Sequence, residues 1–337
     1  MIWFFLSGFG YREIYGGANE HLTTAPFEYY REVLAGDFVG ASVSFWDNAT
    51  TRTLTVSGIP AGATVARALL FWGCECNSTS DLTDITFNGT PITGSVIAST
   101  STLCWGTSSY MVYAADVTSL VSGNGSYTIT VPRALSSTPG ADGATLYVVY
   151  CDVTQPNRTV SIYAMADFVN SSTSSWTQTG FTATSSPSAK ASLTVGDPQD
   201  GLYNYGTFNG GAGSVNMDFD GSFPGNHYGY WEADVSSFMS PSATSVSWSL
   251  TSTGADCVSP NVSVLSITSV DSPTSSCVSG YDDPVIVVEG NVVIGRGEFS
   301  IYDASGRLVW KGRGEYHLPP GLFFAVAGGK TKRILVR

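Results

Sequence analysis

The sequence predicts an all-β protein: two related antiparallel β-sandwiches of jelly-roll-like type, followed by a small C-terminal sandwich of immunoglobulin-like type. Three observations carry this prediction. Apolar and polar residues alternate with period two in many short stretches, and no long window shows helical periodicity. Gly, Pro, Asn and Ser clusters separate those stretches at short intervals. A stretch of the first half recurs, in order, in the second.

The chain opens on Met1-Ile2-Trp3-Phe4-Phe5-Leu6, which is apolar but short and lacks a basic n-region. Residues 1–34 therefore read as an N-terminal segment, either a signal remnant or an ordinary first strand, and the sequence leaves both open. The first sandwich is expected over 35–169. Arg52 to Val56 alternates strictly, and Thr64 to Trp72 is a longer apolar run suited to a central strand. Asp84 to Thr93 reads as a hairpin closed by Asn88-Gly89, since both residues tolerate positive φ at a type I′ turn. Strands follow at Tyr110 to Tyr113, Ser126 to Val131, Thr145 to Tyr150 and Thr159 to Tyr163.

The repeat pairs Ala114-Ala115-Asp116-Val117-Thr118-Ser119-Leu120 with Glu232-Ala233-Asp234-Val235-Ser236-Ser237-Phe238, at an offset of 118. Ser126 to Val131 then matches Ser245 to Leu250, and Thr145 to Tyr150 matches Val262 to Ile267. The repeated aspartates, Asp116 and Asp234, read as caps of a short turn rather than as catalysts. The polar run 170–175 marks the boundary, and the second sandwich is expected over 176–271. A linker at 272–284 leads to a tail over 285–337.

Charge changes abruptly at that linker. Residues 285–337 hold eight basic residues against four acids, whereas the first 284 hold seven against 23, within an overall net charge of −12. So acidic a body excludes nucleic acid as the expected partner. Charged residues are only 12% of the chain, about half the usual share. Such a charge-poor, β-branched composition suits strands with one wet face outside the cytoplasm. No stretch reaches the ~20 apolar residues of a membrane-spanning helix. The six cysteines, Cys74, Cys76, Cys104, Cys151, Cys257 and Cys277, are disulfide candidates, with Cys257–Cys277 the first pairing expected from proximity.

Little in the sequence promises catalysis. The only histidines are His21, His227 and His317, and there is no Gly-x-Ser-x-Gly elbow and no His-Glu-x-x-His. The segment 197–232 holds the candidates for binding: Asp197, Asp200, Asp218, Asp220, Tyr228 and Trp231, among many glycines. Carboxylates on Gly-rich loops suit Ca²⁺, and loop aromatics suit sugars. Turn-capping aspartates and core aromatics are the plainer reading of the same residues. No other cofactor is expected, and no enzyme activity beyond a residual chance of glycoside hydrolysis.

The segments Ala66 to Trp72, Thr86 to Gly94, Val112 to Thr118, Asp142 to Leu146 and Pro156 to Val160 resemble a family of secreted archaeal and bacterial proteins with no assigned function. That resemblance implies a surface or secreted location and no reaction. In the tail, Phe299 to Asp303 is a strand, Ala304 to Arg307 a turn, and Leu308 to Trp310 a returning strand. A further turn and strand run from Leu318 to Val326, and Lys330 to Arg337 closes the chain as a basic edge strand. This pattern resembles the C-terminal sorting domain of type IX secretion substrates. On that resemblance Tyr302, Asp303, Gly306, Arg307, Gly321 and Lys332 carry the sorting signal. The implied partners are the outer-membrane translocon and its processing machinery, with a cut at 279–283. The implied location is the outer surface of a Gram-negative-type bacterium. Surface glycans or proteins are the expected ligands of a non-enzymatic body, an adhesin or envelope component; a glycan-binding module or glycan-active enzyme is the alternative.

Overall fold

The computed structural model describes residues 25–46, 48–101, 109–135, 139–199, 202–219, 228–254, 256–274, 285–289, 292–327 and 330–336. The first half of the body contributes nine strands: β1 (Phe27–Ser44), β2 (Thr51–Val56), β3 (Thr64–Cys76), β4 (Asp84–Phe87), β5 (Thr90–Thr93), β6 (Ser95–Ser101), β7 (Ser109–Asp116), β8 (Gly125–Thr130) and β9 (Gly140–Cys151). The second contributes another nine: β10 (Asn157–Ala164), β11 (Val169–Asn170), β12 (Thr173–Thr179), β13 (Ala189–Gly196), β14 (Asn204–Asn209), β15 (Ser214–Asp218), β16 (Tyr228–Asp234), β17 (Ser245–Ser252) and β18 (Cys257–Thr268).

The duplication read from the sequence is a duplication of topology. One large antiparallel sheet runs β16-β13-β18-β10-β1-β9-β3-β7-β6, with β11 added to β18. Its two arms have the same internal order, β1-β9-β3-β7 and β10-β18-β13-β16. Each arm is faced by a four-stranded sheet, again in the same order: β2-β8-β4-β5 and β12-β17-β14-β15. The polar run 170–175 lies within the β11–β12 segment, inside the second half, and β10 before it already pairs with β18.

A single strand joins the halves. Over Phe27 to Ala35, β1 pairs with β10; over Gly36 to Ser44 it pairs with β9. Residues 27–34, read from sequence as part of an N-terminal segment, are thus a working strand. Their alternation is obscured because the pairing register slips between Glu28 and Tyr30.

Local chemistry fixes the turns. Asn88 and Gly89 both take positive φ, 49° and 80°, and close the β4–β5 hairpin as expected. Asp116 Oδ1 accepts the Thr118 N–H at 2.8 Å, and Asp234 Oδ1 accepts the Ser236 N–H at 2.8 Å. Each begins a 3₁₀ turn, Thr118–Leu120 or Ser236–Phe238, at equivalent places in the two halves. These aspartates are structural.

Three apolar layers result. The first sandwich closes around Trp72, Tyr113, Phe87 and Tyr127, with Trp72 stacked on Tyr113 at 5.5 Å. The second closes around Trp176, Phe208 and Trp248. There the indole N–H of Trp248 donates to Gln178 Oε1 at 3.1 Å and that of Trp176 to Ser263 Oγ at 3.0 Å, so neither buried donor is left unpaired. A third layer, Leu34, Phe38, Leu69, Phe71, Tyr147, Val149, Val160, Ile162, Val262 and Val264, lies between the two arms of the large sheet. Both faces of that sheet are therefore buried, so β9 and β18 are buried along nearly their whole length, β18 with Ser259, Asn261, Ser263 and Ser266 among its buried residues.

The tail is a separate five-stranded antiparallel sheet of β19 (Val285–Glu289), β20 (Val292–Asp303), β21 (Leu308–His317), β22 (Gly321–Ala327) and β23 (Lys330–Val336), in the order β19-β20-β22-β23 with β21 on β20. Ile301, Leu318, Phe323 and Ala325 form its small core. Among the described residues, no helix is long and apolar enough to cross a membrane.

Candidate functional site

The buried layer between the arms ends in polar groups on both sides. At one end Lys190 on β13 reaches Asp37 at 3.7 Å and Glu232 at 3.8 Å, and its ammonium lies 4.3 Å from the centre of the Phe38 ring. Tyr230 donates to Glu232 at 2.5 Å and packs against Tyr147 across the junction. Opposite charges meet here, so this end is a latch between the arms.

The other end is acidic. Glu75 comes from the end of β3, Asp142 from the start of β9, and Asp197 follows β13; all three are buried. Tyr110 from β7 donates its hydroxyl proton to Asp142 Oδ2 at 2.8 Å, and Asn261 Nδ2 from β18 donates to the Tyr110 oxygen at 3.0 Å. The Asp197 N–H donates to the same Asp142 oxygen at 3.0 Å, from a residue with φ of 52°. Tyr228 of β16 completes the group. Its hydroxyl lies beside Thr145, Thr194 and Asn261 without a well-formed hydrogen bond to any of them. Three buried oxygens here have no hydrogen-bond partner: Asp142 Oδ1, Asn261 Oδ1 and the Tyr228 hydroxyl.

Glycines make this packing possible. A Cβ on Gly196 would lie 1.9 Å from the Tyr110 hydroxyl, and one on Gly143 would lie 2.1 Å from Cγ of Tyr228. The tyrosines occupy the space those side chains would need.

Electrostatics follow from burial. Desolvation, and then the negative charge of Asp197, push the Glu75 carboxyl from its ordinary 4.5 up to about 9. Asp142 is pushed up as well, first by burial, then by Asp197 and Glu75. Near neutrality these groups hold protons or need a positive partner. Among the described residues, no three acidic, His or Cys side chains form a ready-made metal ligand set.

The residues singled out from sequence are dispersed. Asp197 and Tyr228 meet in the acidic junction, where both are buried and neither faces solvent. Asp218 is exposed on β15, opposite Tyr205 of β14. Trp231 is half-buried on β16, opposite Leu193. Asp200 and Asp220 lie outside the described residues. Sequence reasoning missed Glu75, Asp142, Tyr110 and Asn261. Their signal was an acid or amide inside an otherwise apolar strand, as in Gly73-Cys74-Glu75-Cys76.

Cys74 and Cys76 are joined to each other at the end of β3, with Cα atoms 5.4 Å apart. Cys151 and Cys257 are also disulfide-bonded. Cys104 and Cys277 lie outside the described residues, and so does the expected Cys257–Cys277 pairing.

In the tail, Asp303 organises the first hairpin. Its Oδ1 accepts the N–H groups of Ser305 and Arg307 at 3.0 and 3.1 Å, and Arg307 Nε donates to Oδ2 at 3.1 Å. Gly306, with φ of 83°, supplies the left-handed position. These hydrogen bonds, that of the Ser305 hydroxyl first, hold the Asp303 carboxyl below its usual range. Tyr302 pairs with Leu308 and Phe324, Gly321 opens β22, and Lys332 pairs with Ala325 in the edge strand β23.

The family described as "Protein of unknown function (DUF3344)" matches residues 25–268, the whole double sandwich. No curated protein matches the chain. Among solved structures, the major capsid protein P2 of bacteriophage PM2 aligns at 10% identity and a TM-score of 0.23, over 71% of this chain and 99% of that one. The STIV MCP aligns at 9% identity and a TM-score of 0.22, over 72% of this chain and 97% of that one.

Proposed function

The chain belongs to the DUF3344 family of proteins of unknown function, and from that premise we propose a non-enzymatic surface protein, an adhesin or envelope component, exported and attached through its tail. The observation that carries this reading is the tail's first hairpin. Asp303, Gly306 and Arg307 close it with a side-chain cap, a positive-φ glycine and a charge-assisted bond, in the Asp-x-x-Gly-Arg pattern of type IX sorting domains. The tail's separate sheet and small core support its role as a self-contained signal. The oxidised cysteines fit an extracytoplasmic life.

The test is deletion of residues 285–337 in the native host. The expected result is body retained in the periplasm, with the surface signal reduced at least tenfold. Unchanged surface display would overturn the reading.

A glycan-binding alternative has one specific support. Tyr203 and Tyr205 are exposed at the start of β14, with Asp218 across from Tyr205. Aromatic faces beside a carboxylate suit a sugar ring. Binding on a glycan array that disappears in Tyr205→Ala would establish this alternative; an empty array leaves the non-glycan reading.

A further inference from the structure

The acidic junction contains three oxygens whose lone pairs are unused: Asp142 Oδ1 from β9, Asn261 Oδ1 from β18 and the Tyr228 hydroxyl from β16. Buried polar atoms are ordinarily satisfied, so three orphans in one group indicate an absent partner. They are drawn together by shared contacts. Tyr110 bonds both Asp142 and Asn261, and the Tyr228 hydroxyl lies beside Asn261 and within the field of Asp142. All three belong to residues that are buried, Asp142 and Asn261 completely.

We propose that this junction binds a calcium ion, ligated by Asp142 Oδ1, Asn261 Oδ1 and the Tyr228 oxygen. The ligands are all hard oxygens, with no nitrogen or sulfur, which selects a hard cation. Glu75, once the ion displaces its proton, and Asp197 add negative charge around the ligands, which favours a divalent over a monovalent ion. A water molecule would fill the hydrogen bonds but leave the mutual repulsion of the acids uncompensated. The ligand set is mixed rather than purely acidic. Its position also gives the ion a role. The three ligands come from both arms of the large sheet, β9 from one and β16 and β18 from the other, so the ion ties the two halves together. The site is distinct from the tail and independent of how the protein reaches the surface.

The test uses the full-length protein, stripped with chelator, at pH 8. Ca²⁺ at a hundredfold excess over its dissociation constant should raise Tm by about 5 °C. Tb³⁺ should give luminescence on tyrosine excitation, through Tyr110 and Tyr228, and Ca²⁺ should displace it. Asp142→Asn should abolish the Tm shift. Tyr228→Phe, which removes one oxygen and leaves the ring, should weaken Tb³⁺ emission at least threefold and remains informative if Asp142→Asn does not fold. Asp84→Asn, at an exposed position on β4, should change neither signal. A Tm indifferent to Ca²⁺ would show that protons alone neutralise the junction and would overturn the proposal. So would a Ca²⁺ shift and Tb³⁺ emission that persist in Tyr228→Phe and Asp142→Asn.

Discussion

Replacing Glu75 by Gln is expected to stabilise the metal-free protein by about 3 kcal/mol at pH 7. The carboxyl is raised from its ordinary 4.5 to about 9 in the fold, first by burial and then by Asp197. The folded state therefore holds a proton that the unfolded chain releases across that interval. A raised pKa contributes stability that is complete below about 4.5 and is lost as pH climbs toward about 9. At pH 7 the loss spans some 2.5 units at ~1.36 kcal/mol each. Gln keeps the shape and carries no charge. Denaturant unfolding of wild type between pH 5 and 9 should show stability falling steadily, with E75Q flatter over the same range. Parallel profiles for the two proteins would show that Glu75 is ionised in the fold. Asp142 is shifted the same way, so some slope will remain in the variant.

Gly143→Ala should cost about 3 kcal/mol, at the upper end of what an overpacked site tolerates. The new methyl would fall 2.1 Å from Cγ, 2.4 Å from Cβ and 2.5 Å from Cδ1 of Tyr228. These atoms are the root of the side chain, so no rotation of the ring relieves the clash, and β9 and β16 must separate. A suitable comparison is Gly125→Ala on β8, whose Cβ would meet nothing closer than 3.8 Å. That change should stay within about 0.5 kcal/mol of wild type. Adding Tyr228→Ala to Gly143→Ala should recover part of the loss, as a double-mutant cycle would measure. Equal stabilities for the two single glycine variants would remove the close approach as an explanation.

The fold was largely legible because its determinants are local. Asn88-Gly89 states a turn type, Asp116 and Asp234 state an Asx turn that leads into each 3₁₀ turn, and their common offset states a duplication. The same holds in the tail, where Asp303, Gly306 and Arg307 act within five residues of one another. The junction was not legible because nothing local specifies it. Glu75, Tyr110, Asp142, Asp197, Tyr228 and Asn261 come from six separated segments, and only the apposition of two sheet arms brings them together. Asp197 and Tyr228 read as residues of a surface loop site, whereas both are buried, because a sequence window cannot show that a second sheet covers the first. The length of β1 was hidden for a related reason: each of its halves answers to a different partner strand.

That shared strand dictates an order of assembly. Phe27 to Ala35 has no native neighbour until Asn157 to Ala164 has been made, and Gly36 to Ser44 waits for Gly143 to Cys151. Contacts so distant along the chain close slowly. The leading strand therefore stays without its full set of neighbours until synthesis has passed residue 164, at the first strand of the second half. Such lateness leaves that strand as an open edge until β9 and β10 have both been made, a hazard that the pairing of both its halves then removes.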